Sequence, residues 1–334
     1  MRQNMKILVL GCGSAGKRHI RNLLSLNAGK TAAYDVNEEK LNAVKKEFSI
    51  DVYSDLNRAL SEDKYDAALI CSPPSCHVAQ ASLLLENGMH CFIEKPMSHN
   101  LEGIDKLIET AFKKQKAVLV GYSLRFSPML VNIKRLIDEG AVGNILSLRA
   151  SVGYYLPYWR PHEDYRKGYG ASLELGGGIV LDASHEIDYV RYLVGEVEEV
   201  FAVCRKLSKL DIDTEDFAEI TMRHKNGAYS QIHLDYLQSN YRRNCEIIGD
   251  KGMLLWDINE RTLKQYNLND KEYHVYYDGL NANVNDIYME ELKHFFRCIQ
   301  GVEKPLIDPM EGKRIQEIIM KIKESSDVKQ FISV

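Results

Sequence analysis

Over the first third of the chain, short runs of uninterrupted apolar residues alternate with stretches whose apolar side chains recur every three or four positions. The apolar runs are residues 6–10 (KILVL), 31–34, a short one around Val52, 67–71, 91–93 and 117–122. Runs of this length, bounded by turn residues, are strands buried on both faces. Between them the spacing predicts helices: one carrying Ile20, Leu23, Leu24 and Leu26 on one side, then 37–48, 56–60, one opened by His77, and 101–114. Strands alternating with helices in this way form a parallel sheet with right-handed crossovers. The period changes after Tyr122. A helix over 129–139 and a strand over 145–152 lead into an aromatic segment, and a continuous helix is predicted from Ile179 through Val190. Strands at 197–203, 217–223, 228–234, 245–249 and 253–256 follow, with tight turns at Lys225-Asn226-Gly227 and Gly249-Asp250-Lys251-Gly252. Successive strands joined so tightly imply an antiparallel sheet. Amphipathic helices over 288–300 and 312–323 end the chain. The expected division is residues 1–123 and 124–334, with the last helix free to pack back on the first domain.

Length and charge support this picture. At 334 residues there is room for about two domains of the usual 100–200 residues. The net charge of −4 lacks the basic footprint of a nucleic-acid-binding protein. No apolar run approaches the roughly 20 residues that cross a bilayer, and the N-terminus lacks a signal peptide's apolar core and cleavage site. Seven scattered cysteines without a Cys-x-x-Cys suit reduced thiols, not a disulfide frame or zinc site, so a cytoplasmic protein with no metal is expected.

The first strand runs directly into Gly11-Cys12-Gly13-Ser14-Ala15-Gly16, with a helix after it. A bare GxGxxG is weak evidence; between a strand and a helix it has a mechanism. The first glycine permits the tight turn, the second lets backbone approach a pyrophosphate, and the third lets helix and strand pack closely. Asp35 ends the second strand 24 residues after Gly11, near the spacing of an acid that binds the adenosine ribose. The other reading of Asp35 is an N-cap for the next helix. No arginine follows it, which favours NAD over NADP, although Lys17 and Arg18 lie where a 2′-phosphate could be met. Ser72-Pro73-Pro74 leaves the fourth strand extended and is expected to border the cofactor, with His77 nearby. Glu94-Lys95-Pro96 ends the fifth strand at its carboxyl edge, where such sheets bind ligands. A lysine there can take part in proton transfer, or can simply pair with Glu94 at the surface.

Residues 153–169 hold five tyrosines, a tryptophan, two prolines and several charges. They make a poor core and a good wall for a polar substrate, with Tyr155, Trp159, Arg160 and Tyr165 as candidate contacts. A crossover loop packed between subunits would read the same way. Asp182 and His185, three apart after Gly176-Gly177-Gly178, share a helical face on a largely apolar helix and need satisfying there.

Taken together, these motifs resemble the glucose-fructose oxidoreductase/inositol dehydrogenase/rhizopine-catabolism (Gfo/Idh/MocA) family along nearly the whole length. The resemblance rests on the glycine turn with Arg18-His19, Ser72-Pro73-Pro74 with His77, Glu94-Lys95-Pro96, Gly121 through Arg125-Phe126 with Pro128, and the triple glycine before Asp182 and His185. It implies a Rossmann domain followed by an α+β domain with a large open sheet, often the face of a homodimer or homotetramer. It also implies an NAD(P)-dependent oxidoreductase acting on a secondary alcohol of a sugar, cyclitol or related polyol, amino and nucleotide sugars included. Gly11, Gly13, Ser14, Ala15, Gly16, Asp35, Ser72, Pro73, His77, Glu94 and Lys95 would then hold the cofactor. Lys95, Arg125, Asp182 and His185 would meet substrate, with Lys95 and His185 in acid–base roles and Asp182 orienting substrate or histidine. Better-known members place the aspartate four residues before the histidine, not three. A cofactor-bound sensor without catalysis, and a hydrolase using NAD as a redox catalyst, are the competing readings.

Overall fold

The computed structural model describes residues 5–269, 271–278 and 283–334. The chain forms two compact units, Met1–Tyr122 with Tyr288–Arg314, and Ser123–Ile287 with Ile315–Val334.

The first unit begins β1 (Lys6–Leu10), α1 (Ser14–Ser25), β2 (Lys30–Tyr34), α2 (Glu38–Phe48), β3 (Asp51–Tyr53) and α3 (Leu56–Glu62). It continues β4 (Ala67–Ile70), α4 (Pro74–Glu86), β5 (His90–Glu94), α5 (Ile104–Lys113) and β6 (Val118–Gly121). All six strands lie parallel in the order β3-β2-β1-β4-β5-β6, the doubly wound arrangement whose order reverses between β1 and β4. Ile7 to Leu10, Ala67 to Ile70 and Cys91 to Ile93 are buried, which is why these strands read as unbroken apolar runs. Asn37 caps α2 by accepting from the Lys40 amide, so the capping alternative for Asp35 falls away. α5 starts later than the expected Leu101, because Gly103 takes a positive φ of 75° at its N-cap.

The second unit carries α6 (Pro128–Asp138), β7 (Ile145–Gly153), α7 (Leu156–Trp159), α8 (Ile179–Asp182) and α9 (Ser184–Val194). The strands β8 (Val197–Arg205), β9 (Phe217–His224), β10 (Tyr229–Asp235), β11 (Arg242–Gly249), β12 (Gly252–Asp257), β13 (Thr262–Asn267) and β14 (Tyr273–Asp278) follow. α10 (Val284–Ile299), α11 (Pro309–Val328) and the short β15 (Ile332–Ser333) close the chain. β7 to β15 form one sheet in the order β14-β13-β12-β11-β7-β10-β9-β8-β15. Its ladders are antiparallel except β7 with β10, which run parallel. Tight turns alone could not reveal this, since β7 arrives from far upstream and enters the middle of the sheet. One face, with Val200, Met222, Ser230, Leu148, Ile247 and Leu254, is buried. The cross-strand row Phe201–Thr221–Gln231–Arg149–Glu246–Leu255 lies on the other face, none of its members buried.

One expectation fails here. The helix after the triple glycine is not continuous: α8 ends at Asp182, Ala183 leaves helical geometry at φ −94° and ψ 26°, and α9 restarts at Ser184. Asp182 therefore closes one helix while His185 sits in the first turn of the next, so a single helical face does not relate them.

Candidate active site

In the first unit the glycine turn has the geometry a dinucleotide requires. Gly11 has φ +91°, and a side chain there would meet the Cys71 carbonyl oxygen at 2.5 Å. A Cβ on Gly16 would lie 1.8 Å from the Gly11 carbonyl oxygen, so α1 can approach β1 only through glycine. Nothing lies within 4 Å of the Cβ position of Gly13, the open space a pyrophosphate would fill. Ser14 and Ala15 open α1, which has no side-chain cap and no acid in its first turn, so its first amides are available to phosphate oxygens. Asp35 is tied to this turn: one carboxylate oxygen accepts from the Cys12 amide at 2.7 Å and the other from Asn37 at 2.8 Å. Each oxygen keeps a lone pair for a ribose hydroxyl. A fixed carboxylate at this point repels a 2′-phosphate, so the residues fit NAD. Replacing Asp35 with alanine should weaken NADH binding in a fluorescence titration by about tenfold to a hundredfold, since a charged hydrogen bond contributes roughly 1.5–3 kcal/mol; unchanged affinity would remove the ribose role.

His77 is committed to two backbone carbonyls. It is buried, with Nδ1 2.9 Å from the Pro96 carbonyl oxygen and Nε2 2.8 Å from that of Ser72. Burial holds its pKa below the usual imidazole value against those two hydrogen bonds. It straps the Ser72 loop to the end of β5. Ser72 donates through Oγ to Gln80 at 2.7 Å, and Pro73 forms the N-cap of α4.

Glu94 is also turned inward. Its Oε1 lies 2.6 Å from His19 Nε2, and its Oε2 accepts the Lys95 amide at 3.2 Å. Burial pushes this carboxyl up, but the hydrogen bond from His19, with Lys95 beside it, outweighs that and holds Glu94 below its usual range. Glu291 on α10 shows the opposite balance. Fully buried, with Glu94 as its charged neighbour, it is held well above the carboxyl range and is neutral. Lys95 leaves the carboxyl end of β5 half-buried.

In the second unit a cleft gathers Trp159, Arg160, Tyr165, Tyr169 and Asp182. Tyr155 is not among them; it packs edge-on against Tyr158 at 4.8 Å. Asp182 accepts from three phenols: Tyr154 at 2.7 Å, Tyr236 at 3.0 Å, and Tyr169 in a short contact. Burial, with the Asp182 charge beside them, holds Tyr154 and Tyr236 well above the usual phenol range, so both remain donors. Tyr154 in turn stacks on Trp159 at 4.4 Å, fixing the aromatic wall to the carboxylate. None of Tyr154, Tyr169 and Tyr236 stands out in the sequence as a partner of Asp182, because their spacing along the chain carries no period.

Arg125 has a committed protein partner. It is buried, and its Nε and Nη2 reach the Asp188 carboxylate at 3.1 and 2.6 Å. Through this pair it braces α9. Glu186 on the same helix pairs with Arg243 on β11 at 2.7 Å, so α9 is held from two sides and His185 rides on its first turn. Among the described residues no cluster of His, Cys, Asp and Glu could hold a metal, and all seven cysteines are free. No helix among them is long and apolar enough to cross a membrane.

Known proteins share this architecture. Myo-inositol 2-dehydrogenase from Thermotoga maritima is 29% identical over 342 aligned residues, covering 99% of this chain and 98% of its own. The NAD(+)-dependent scyllo-inositol 2-dehydrogenase of Bacillus subtilis is 25% identical and covers 93% and 91%. Levoglucosan dehydrogenase, solved in complex with NADH, superposes with a TM-score of 0.89 at 21% identity over 99% of both chains. Residues 5–122 match the family described as "Oxidoreductase family, NAD-binding Rossmann fold", and residues 130–255 match the "GFO/IDH/MocA C-terminal domain". With both halves accounted for, the chain belongs to the Gfo/Idh/MocA family of NAD-binding oxidoreductases.

Proposed function

We propose that the protein oxidises a secondary alcohol of a cyclitol or sugar, and reduces the corresponding ketone in reverse. The observation that carries this reading is the cleft around Asp182, an aromatic wall locked onto one carboxylate with Arg160 and Tyr165 beside it. Aromatic faces pack against the C–H faces of a polyol, and polar groups at fixed positions select its hydroxyls. The inositol dehydrogenases among the relatives support a cyclitol as the first candidate.

Bound NAD supplies the hydride acceptor. The chain's own residues handle the rest. Oxidation of an alcohol releases a hydride from carbon and a proton from oxygen, and the proton needs a base. His185 takes that proton, and the Lys95 ammonium binds the same oxygen and steadies the negative charge that develops on it. Asp182 orients substrate through the three tyrosines it holds, whose hydroxyls it fixes. Screening NAD reduction against inositols, hexoses, amino sugars and nucleotide sugars tests the assignment. NADH formation with a cyclitol or sugar is the expected result; a glycoside cleaved with no net NADH, or no turnover at all, would remove it. We also propose a cytoplasmic homodimer or homotetramer joined through the sheet face on which Phe201 is half-buried and Val203 and Tyr229 are exposed. Light scattering that reads a monomer at assay concentration would end that part.

A further inference from the structure

His19 has no part in the chemistry described so far, yet it is one of the most thoroughly buried polar residues of the first unit. It belongs to α1, the helix whose amino end faces the glycine turn, and its ring points away from that turn toward the end of β5. Its Nε2 meets Glu94 Oε1 at 2.6 Å. Phe92 and Tyr288 hold the ring edge-on, with centroids 5.0 and 6.5 Å away. Glu94 completes the connection, because its second oxygen accepts the Lys95 amide at 3.2 Å. A leucine would fill this space without desolvating two polar groups, so packing alone does not account for a histidine here.

We propose that His19 is a positioning residue for Lys95: through the Glu94 carboxylate it fixes the Lys95 backbone, and with it the path the amine takes from the end of β5. The proposal rests on the reading that Lys95 meets substrate. Its physical basis is the commitment of both carboxylate oxygens. With His19 in place, one oxygen is anchored to α1 and the other is aimed at the Lys95 amide. Without it, the buried carboxylate loses its anchor to α1 and turns toward water or a cation, releasing that amide. Because one helix carries both the phosphate-facing amides and His19, the cofactor turn and the Lys95 strand end are held in one frame.

Three variants of the full chain test this. His19→Phe keeps a ring and removes the donor, His19→Gln keeps a donor at the Nε2 position, and Lys95→Ala removes the amine. The first readout needs no substrate: acetic anhydride labelling of Lys95, followed by mass spectrometry, with Lys6 and Lys313 as internal references. Lys95 labelling should change severalfold in His19→Phe, return toward wild type in His19→Gln, and leave the reference lysines alone. The second readout is turnover of myo-inositol, or of the best alcohol from the screen. It should fall about tenfold to a hundredfold in His19→Phe at unchanged NADH affinity, the usual consequence of a misplaced catalytic group. In a Lys95→Ala background the same substitution should cost nothing more, since coupled residues are non-additive. Wild-type labelling and turnover in folded His19→Phe would overturn the proposal, as would an equal loss with and without Lys95. Full turnover in Lys95→Ala would overturn the underlying reading instead, leaving the labelling result to judge the positioning alone. If His19→Phe does not fold, Glu94→Gln breaks the same link and should shift Lys95 labelling in the same way.

Discussion

Lys95→Ala and His185→Ala should each fold, bind NADH with wild-type affinity and lose about a hundredfold or more in turnover, the scale general acid–base groups supply. Each side chain stands on backbone that other residues hold. Lys95 extends half-buried from a strand end whose backbone is already held by Glu94 and the sheet. His185 stands in the first turn of a helix pinned further along by Asp188 and Glu186. Removing either should therefore leave a folded protein while kcat falls. NADH titration separates the two effects, since loss of affinity equal to the loss of turnover would mean a binding role only. Near-wild-type turnover in either variant, with an alcohol the wild type uses well, would eliminate the acid–base assignment.

How far the sequence reveals this site depends on how local each feature is. The glycine turn, Asp35 and Lys95 are legible because each lies at the end of a buried strand, and an apolar run announces its own end. The doubly wound sheet follows for the same reason. The Asp182 cage is not legible: its donors at 154, 169 and 236 come from just past β7, a connecting loop and just past β10, brought together by sheet order. The parallel β7–β10 pairing that makes this possible leaves no mark in either strand. Helical spacing also misleads at Ala183, since apolar periodicity records which side is buried and not whether the backbone is continuous. The motifs point to His77, Glu94 and Arg125 as ligand contacts, and in the structure each has a committed protein partner: two backbone carbonyls, His19 and Asp188. A polar residue near a site can serve either purpose, and burial with a committed partner decides which.

Asp188→Ala should be the most destabilising of these substitutions, costing about 3–5 kcal/mol. The carboxylate is fully buried and its partner nearly so, with side-chain exposures of 0% and 3%. Truncating it removes the bidentate carboxylate from a guanidinium buried in the interior, which also lies 4.4 Å over the Tyr192 ring. By contrast, the Arg58–Glu62 pair on α3 has exposures of 70% and 44%, and its loss should leave the urea midpoint nearly unchanged. Against a typical stability of about 5–15 kcal/mol, the Asp188 loss is large enough to read directly as a lower urea midpoint at unchanged slope. The decisive companion is Arg125→Met with Asp188→Leu. If the cost comes from the stranded charge and not from the lost attraction, the double variant should recover most of the stability that Asp188→Ala loses. It should recover turnover as well, because α9 would again be packed from end to end and would hold His185 where the wild type does. A double variant as unstable as the single one would mean that the ion pair itself, through its bidentate geometry, sets the position of the helix.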